Sequence, residues 1–169
     1  QLCTKLLPVD ESLVLSDYTY LPDADHPKQG FRYFFPGLLT PHRVIHNGFD
    51  PAFFTADPAG KKENSFIAVA HAQEMQRVRI KGIDLVILLA KRFTNCTFTL
   101  VGVSDSLNRE LSPLPSNLSV YPWMSKEKFI GHLAESRFVL QLSVSEGFPN
   151  ALCEAMLCHC IPVGSAVGA

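Results

Sequence analysis

The sequence lacks several features that would assign it to a common class of protein. It contains no GxGxxG fingerprint, which makes a nicotinamide-dependent dehydrogenase a weak interpretation. No apolar run reaches the roughly 18 to 20 residues of a transmembrane helix, and no basic-then-apolar signal segment opens the sequence. The net charge of −1 gives no basis for a nucleic-acid or anionic-membrane surface. We therefore expect one soluble globular domain, because 169 residues with 47% hydrophobic content can build a core.

Metal-ligand patterns are also scarce. The cysteines show neither CxxC nor zinc-knuckle spacing, and the histidines show no ligand spacing. We expect no metal cofactor. We also expect buried, reduced thiols and hence a cytoplasmic location, since three of the cysteines lie among apolar residues. The five cysteines are Cys3, Cys96, Cys153, Cys158 and Cys160.

The stretch from Arg137 to Ala169 is the most informative part of the chain. Its apolar run over Phe138–Leu142 predicts a strand buried on both faces of a parallel sheet. Pro149 suits the first position of a helix that continues over Ala151–Cys158, and we expect the next short strand at Ile161–Val163 and Ala166–Val167. Such a unit presents free N–H groups, here at Phe148–Ala151, at the carboxyl edge of the sheet. Anions bind at that edge in doubly wound folds.

Only two charged residues follow Arg137, namely Glu146 and Glu154. Both carboxylates could face one cleft, yet a carboxylate would repel a bound anion. The repulsion is avoided if they accept hydrogen bonds from neutral hydroxyl groups, as on a sugar or a ribose. A sugar nucleotide fits this pattern. The residues alone leave an alternative open, in which Glu154 is a structural cap or pair and Glu146 is a solvated loop residue.

These residues carry a resemblance to a known family. The segment Ser143-x-x-Glu146-Gly147-Phe148-Pro149-Asn150-Ala151-Leu152-x-Glu154-Ala155-Met156, followed by Ile161-Pro162-Val163, resembles the signature of the retaining glycosyltransferases of family 4. The resemblance extends back to Val44–Asp50. It implies a B-type fold, of which this chain would be the nucleotide-sugar-binding half. Residues 1–40 would then be a linker or remnant of an N-terminal acceptor domain, and residues 41–169 a donor-binding domain truncated at its C-terminus.

The resemblance also implies roles for individual residues. Lys81, in a Lys-Gly pair, would contact the donor diphosphate together with an arginine, for which Arg77 is the first choice and Arg79 the second. The family often carries that arginine directly after the strand, where this chain has His71. The basic run from His71 to Gly82 is predicted to be a loop at the carboxyl end of a parallel strand, where its cations can face a diphosphate. The alternative is a solvated charge cluster. Glu146 would hold a sugar hydroxyl and Glu154 the ribose, with further donor contacts from Gly147, Phe148, Pro149, Asn150, Ala151, Tyr121, Trp123 and Met124.

Strands and helices are predicted to alternate about five times. Strands are expected at Arg43–Ile45, Ser65–Ala70, Thr97–Val103 and Leu118–Tyr121, with helices over Ile83–Phe93, from Ser104 or Asp105 to Leu111, and after Ser125. A further short helix is expected near Gln29–Phe35, and His159 is expected at a helix-end position that favours a positive φ. The alternation predicts an α/β, Rossmann-like parallel sheet with helices on both faces.

These predictions combine into one functional hypothesis. The chain would be the donor-binding domain of a transferase that moves a hexose from a nucleotide diphosphate sugar to an unknown acceptor, such as a polysaccharide or glycolipid. The acceptor would bind through the N-terminal domain, so this fragment alone is expected to transfer no sugar. The full-length protein could sit peripherally at a membrane. The alternatives are a nucleotide-sugar epimerase or hydrolase of the same fold, and a non-catalytic sugar-nucleotide-binding module.

Overall fold

The computed structural model describes residues 12–14, 37, 42–44, 47–144, 146 and 148–165. Contacts divide the chain into two units, one formed by Gln1–Gly48, Glu146–Phe148 and Val167–Ala169, and the other by Phe49–Ser145 and Pro149–Ala166. In the first unit, strands β1 (Ser12–Val14) and β2 (His42–Val44) pair in parallel. The helix predicted near Gln29–Phe35 and the strand predicted at Ala166–Val167 lie outside the described residues. The division into residues 1–40 and 41–169 stays a prediction.

The second unit contains a five-stranded, fully parallel sheet. Its strands are β3 (Lys62–Ala72), β4 (Thr97–Val103), β5 (Leu118–Tyr121), β6 (Ser136–Gln141) and β7 (Ile161–Gly164). They lie in the order β5-β4-β3-β6-β7, so the chain winds outward through β5 and then returns to the other side of β3. The strand order therefore reverses between β3 and β6. In doubly wound sheets, ligands bind at the carboxyl ends of the strands at such a switch point.

Five helices connect these strands: α1 (Met75–Ile80), α2 (Ile83–Arg92), α3 (Asp105–Leu111), α4 (Lys126–Glu135) and α5 (Asn150–Leu157). The side chains of Ser104 and Ser125 accept backbone N–H bonds at the starts of α3 and α4, as predicted. The main differences from the prediction are three. The basic run predicted to be a loop contains α1, β3 begins at Lys62 rather than Ser65, and Pro149 is the N-cap of α5 rather than its first residue.

Two apolar clusters cover the two faces of this sheet. One contains buried residues of α1, α2 and α3, including Ile83 and Leu107, and the other contains buried residues of α4 and α5, including Leu133 and Ala155. Helices therefore pack on both faces, which confirms the predicted α/β, Rossmann-like architecture. Phe66 on the central strand stacks between Phe98 and Phe138 of its neighbours, with ring centroids 5.1 and 4.8 Å apart. These contacts hold the three central strands in register.

The C-terminus of α5 is tied to that of α4. The Lys61 ammonium donates to the carbonyl oxygens of Leu133 (2.6 Å) and Cys158 (2.5 Å), at the ends of the two helices. A cation is favourable there because it complements the partial negative charge of both helix ends. Within the described part of the chain the four cysteines are free thiols, and burial raises the pKa of both Cys158 and Cys160.

His159 ends α5 in the left-handed conformation, with φ of 61°. Its N–H donates to the Met156 carbonyl and the Cys160 N–H donates to the Ala155 carbonyl, each at 2.9 Å. This pair of bonds is the Schellman motif, which usually places glycine where His159 stands. The sequence prediction of a positive φ is confirmed. The side chain of His159 is exposed, so the imidazole offers little packing in return.

We predict that His159→Gly stabilises the protein by about 0.5–1 kcal/mol. Removing the Cβ relieves roughly 1–2 kcal/mol of left-handed strain, which the greater freedom of glycine in the unfolded chain partly offsets. Urea unfolding at neutral pH measures the change. His159→Ala is the matched control, because it removes the imidazole and keeps the Cβ, and it should leave stability nearly unchanged. A glycine variant less stable than the alanine variant would contradict this account of the helix end.

Candidate functional site

The corner between α1 and α2 lies in close backbone contact with the segment after β6. Gly82 has φ of 67°, and a Cβ at this position would collide with the carbonyl of Leu142. Beside it, the N–H of Val144 donates to the carbonyl of Ile80 at 3.0 Å. Only glycine suits both the conformation and the space. The corner between α1 and α2 is therefore fixed against the segment that leads toward α5, at the switch point of the sheet.

Lys81 occupies this corner as the C-cap of α1. Its N–H is directed at the carbonyls of Arg77 and Arg79, and its side chain is partly exposed. The backbone position of Lys81 is thus determined by α1 and by Gly82 and does not depend on the contacts of its side chain. The structure places the predicted diphosphate lysine at the carboxyl edge between β3 and β6.

The two candidate arginines both lie in the last turn of α1 and are exposed, while Val78 between them is buried. Residues two apart on a helix point in directions about 200° apart, so Arg77 and Arg79 cannot face the same ligand from one position of α1. The choice of Arg77 stays a prediction. His71 lies within β3 rather than in a loop. Its ring makes a T-shaped contact with the ring of Trp123, with centroids 5.7 Å apart.

The start of α5 lies after β6. Pro149 caps the helix with its carbonyl, which accepts the N–H groups of Leu152 (3.0 Å) and Cys153 (3.3 Å). Asn150 and Ala151 therefore occupy the first helical positions, where N–H groups lack acceptors within the helix. This arrangement provides the helix N-terminus that the sequence predicted for an anion, with Asn150 rather than Pro149 as its first residue.

Glu154 follows one turn later and is half-buried. Burial raises the pKa of its carboxyl group, and the positive charge of Lys126 opposes part of that rise. Among the described residues, no hydrogen bond to this carboxylate is found. The ionised form of Glu154 is therefore poorly stabilised by the protein itself. Such a carboxylate is typical of a ligand-binding site.

Lys126, an exposed residue in the first turn of α4, is one to which the sequence analysis gives no role. Its ammonium lies over the rings of Phe53 (4.9 Å) and Phe54 (4.7 Å), and its charge reaches Glu154. A lysine in the first turn of a helix interacts unfavourably with the helix dipole. This unusual position was the sequence signal that could have drawn attention to Lys126. The two aromatic rings compensate by cation–π attraction.

The predicted nucleobase segment follows β5. Tyr121 is 36% exposed and Trp123 is 69% exposed, whereas Met124 packs against the apolar cluster of α4 and α5. The Tyr121 ring also contacts the His132 ring, with centroids 4.7 Å apart. Trp123 is therefore not a core residue.

Glu146 and Phe148 belong to the other contact unit, and Gly147 lies outside the described residues. Both described residues are partly buried. Their proposed contacts with a donor sugar stay predictions, as do the roles of the other site residues.

The described residues contain neither a metal-ligand cluster nor a helix that could span a membrane. No group of three or more His, Cys, Asp or Glu side chains is arranged to hold a metal ion. None of the helices found there combines the length and the apolar character needed to cross a bilayer.

Comparison with known proteins identifies the family. The family described as Glycosyl transferases group 1 matches residues 66–169. The chain belongs to this family. A comparison with curated protein sequences finds no significant match. As a group 1 glycosyltransferase domain, the chain carries the switch-point corner at Lys81 and the α5 N-terminus within the matched residues.

Solved structures share the fold. The chain is similar to TarM (18% identity, TM-score 0.60), with 78% of this chain and 26% of TarM covered. It is similar to the pneumococcal O-GlcNAc transferase GtfA, solved with UDP and GlcNAc (23% identity, TM-score 0.59, 78% of this chain and 26% of GtfA). It is also similar to Anabaena HepE, solved with UDP (20% identity, TM-score 0.56, 79% of this chain and 41% of HepE). The chain spans about a quarter of the length of TarM and of GtfA and about two fifths of that of HepE.

We predict that Glu154→Gln stabilises the folded protein at pH 7. The raised pKa means that folding favours the protonated carboxyl group, so the stability linked to Glu154 is fully present below its unfolded pKa of about 4.3 and is lost as pH rises through the folded pKa. Glutamine removes that loss. The advantage of the variant should be seen by urea unfolding at pH 7 and should vanish below about pH 4.

Glu127→Gln is the matched control in the same measurement. Hydrogen bonds from its own backbone N–H and from Ser125 lower the pKa of Glu127, so its stabilisation is present at pH 7 and is lost as pH falls through the folded pKa. This variant should therefore be the less stable one at pH 7. A Glu154→Gln variant that is also destabilised at pH 7 would favour the structural role for Glu154 that the sequence left open.

Proposed function

We propose that this chain is the nucleotide-sugar-binding domain of a retaining glycosyltransferase of family 4. The full-length enzyme would transfer a hexose from a nucleotide diphosphate sugar to an acceptor glycan or lipid held by a second domain. One observation carries the proposal. The switch point of the sheet brings a basic corner, fixed by the contact of Gly82 with Leu142, beside the connection to a helix whose half-buried Glu154 lacks a hydrogen-bond partner among the described residues.

The diphosphate would lie between Lys81 and the N-terminus of α5. The Lys81 ammonium supplies a full positive charge, and the first N–H groups of α5 supply a partial one. Arg77, or Arg79 in its place, would add a planar guanidinium that suits phosphate oxygens. These groups stabilise the charge that develops on the leaving nucleotide as the glycosidic bond breaks. No residue of the chain is proposed as a covalent nucleophile.

The hydroxyl groups of the donor would donate hydrogen bonds to carboxylates of the chain. Glu154, which lies one turn into α5, is proposed to accept hydrogen bonds from the ribose, and Glu146 from a sugar hydroxyl. Neutral donors of this kind suit a carboxylate close to a bound anion, because they stabilise its charge without adding another negative group. Tyr121, the last residue of β5, and Trp123 and Met124, which follow it, would complete the nucleotide site. GtfA and HepE were solved with UDP, so UDP is the nucleotide to test first.

We predict that Lys81→Ala weakens UDP binding by about 1.5–3 kcal/mol, which is roughly 10- to 150-fold in Kd. The mutation removes a charged hydrogen-bond donor and leaves the backbone contacts that position the corner. Isothermal titration calorimetry measures the loss. Lys91→Ala, which removes an exposed lysine from the last turn of α2, is the matched control and should bind UDP like the parent. Equal affinities for all three proteins would rule out the role of Lys81.

We further propose that nucleotide binding needs no divalent metal, because cationic side chains can neutralise the diphosphate. The sequence does contain one Asp-x-Asp pair, Asp23 and Asp25, which lies outside the described residues. Parallel UDP titrations with EDTA and with Mg²⁺ should give the same Kd within about twofold. A large loss of affinity on chelation, restored by Mg²⁺, would contradict the proposal and direct attention to those two aspartates.

A further inference from the structure

The segment Gln141–Val144, which leaves β6 at its carboxyl end, is held by neighbours on both sides. On the β3 side it meets the corner at Gly82. On the β7 side it meets Gly164, the last residue of β7, and Ser165, which follows it. All of these residues lie in the contact unit that contains the five-stranded sheet. The contacts on the β7 side therefore bear on the geometry of the candidate site.

Gly164 allows β7 to end directly against β6. It pairs with Gln141 in the parallel register, and a Cβ on Gly164 would lie 2.8 Å from the Gln141 carbonyl oxygen. A side chain at this position would push the two strands apart. The close approach brings the next residue into hydrogen-bonding range, and the N–H of Ser165 donates to the Gln141 carbonyl at 3.0 Å.

The Ser165 hydroxyl makes a second connection, further along the segment. Its Oγ lies 2.7 Å from the Ser143 carbonyl oxygen and 3.2 Å from the Gln141 carbonyl oxygen. A hydroxyl donates one hydrogen bond, and the Ser165 N–H already serves the Gln141 carbonyl. The short bond to the Ser143 carbonyl is therefore what the side chain adds.

Two buried polar side chains strengthen the segment from within. The Gln141 Nε2 donates to the Ser143 Oγ at 2.9 Å, and these residues are 9% and 2% exposed. This bond accounts for the one polar residue of the apolar run Phe138–Leu142, because a buried amide needs a partner. The bond also restrains the backbone of Leu142, which lies between the two residues and abuts Gly82.

We propose that Ser165 is a positioning residue for the nucleotide site, and that it acts through the segment Gln141–Val144. This inference rests on the function proposed above. Ser165 holds the segment from the β7 side, and the Gly82 corner holds it from the β3 side. The segment keeps its position only while both sets of contacts are made. Ser165 acts through the backbone, so contact with the nucleotide is not required.

Loss of the Ser165 hydroxyl would reach the nucleotide in two steps. The segment would be free to shift on its β7 side, so the bond from the Val144 N–H to the Ile80 carbonyl would be made for a smaller fraction of the time. The corner that fixes Lys81 would then be less well preorganised for a diphosphate, and the affinity for the nucleotide would fall.

Three variants separate this role from a general loss of stability. Ser165→Ala removes the hydroxyl and keeps the N–H bond to Gln141. Ser165→Thr keeps the hydroxyl, and its added methyl group can lie in solvent because residue 165 is exposed. Ser136→Ala is the matched control. It removes a hydroxyl that donates to the His132 carbonyl at 2.8 Å, at the opposite end of β6.

Isothermal titration calorimetry with UDP measures the effect on the nucleotide site, and hydrogen exchange of the Val144 amide without UDP measures the effect on the segment. For Ser165→Ala we expect the affinity for UDP to fall by about three- to tenfold, the usual effect of one neutral hydrogen bond. The Val144 amide should exchange faster by a similar factor. Ser165→Thr should restore both quantities, and Ser136→Ala should leave both as in the parent.

Four outcomes would overturn the positioning role. They are unchanged Val144 exchange in Ser165→Ala, unchanged affinity for UDP in that variant, equal losses in Ser136→Ala, and no recovery in Ser165→Thr. A failure of the proposed function looks different. In that case the parent binds no UDP, while Val144 exchange still rises in Ser165→Ala and recovers in Ser165→Thr. The hold of Ser165 on the segment would then be confirmed, and its role in a nucleotide site would be rejected.

Discussion

The contact between Gly82 and the Leu142 carbonyl is the constraint on which the candidate site depends. It brings the backbone after β3 against the backbone after β6 at the place where the strand order reverses, and the bond from Val144 to Ile80 reinforces it. A side chain at Gly82 would force these segments apart. The position of Lys81 relative to α5 would then no longer be set by the sheet, and the charges that a diphosphate needs would not be preorganised.

Helices α4 and α5 also carry features that cost stability. Glu154 is half-buried without a hydrogen bond among the described residues, Lys126 stands at the unfavourable end of α4, and His159 is held at a positive φ. Two of these costs are compensated locally. The Lys126 ammonium lies over aromatic rings, and the Lys61 ammonium stabilises the end of α5 next to His159. For Glu154 the charge of Lys126 compensates only in part, and no hydrogen bond to the carboxylate is found among the described residues. This pattern is expected where a ligand supplies the missing interaction.

Local signals predicted much of the sheet. The bounds of β4 and β5 and the serine caps of α3 and α4 were correct, because β-branched runs and capping residues act within a few neighbours. The helix α1 was missed, since its six residues carry only one buried side chain and show no apolar period. The pairing of Lys126 with Phe53 and Phe54 could not be predicted, because more than 70 positions separate these residues and no local pattern encodes the contact.

The central claim is that a nucleoside diphosphate binds at the carboxyl edge between β3 and β6. The most direct test is a titration of the ¹⁵N-labelled protein with UDP, followed by amide NMR. The account predicts saturable shifts of the Lys81, Gly82 and Ala151 amides with one common Kd. The amides of Lys62 and Ser136, which pair at the opposite edge of the same two strands, should stay unchanged. Shifts concentrated at that opposite edge, or no saturable shift at the Lys81 corner, would contradict the account.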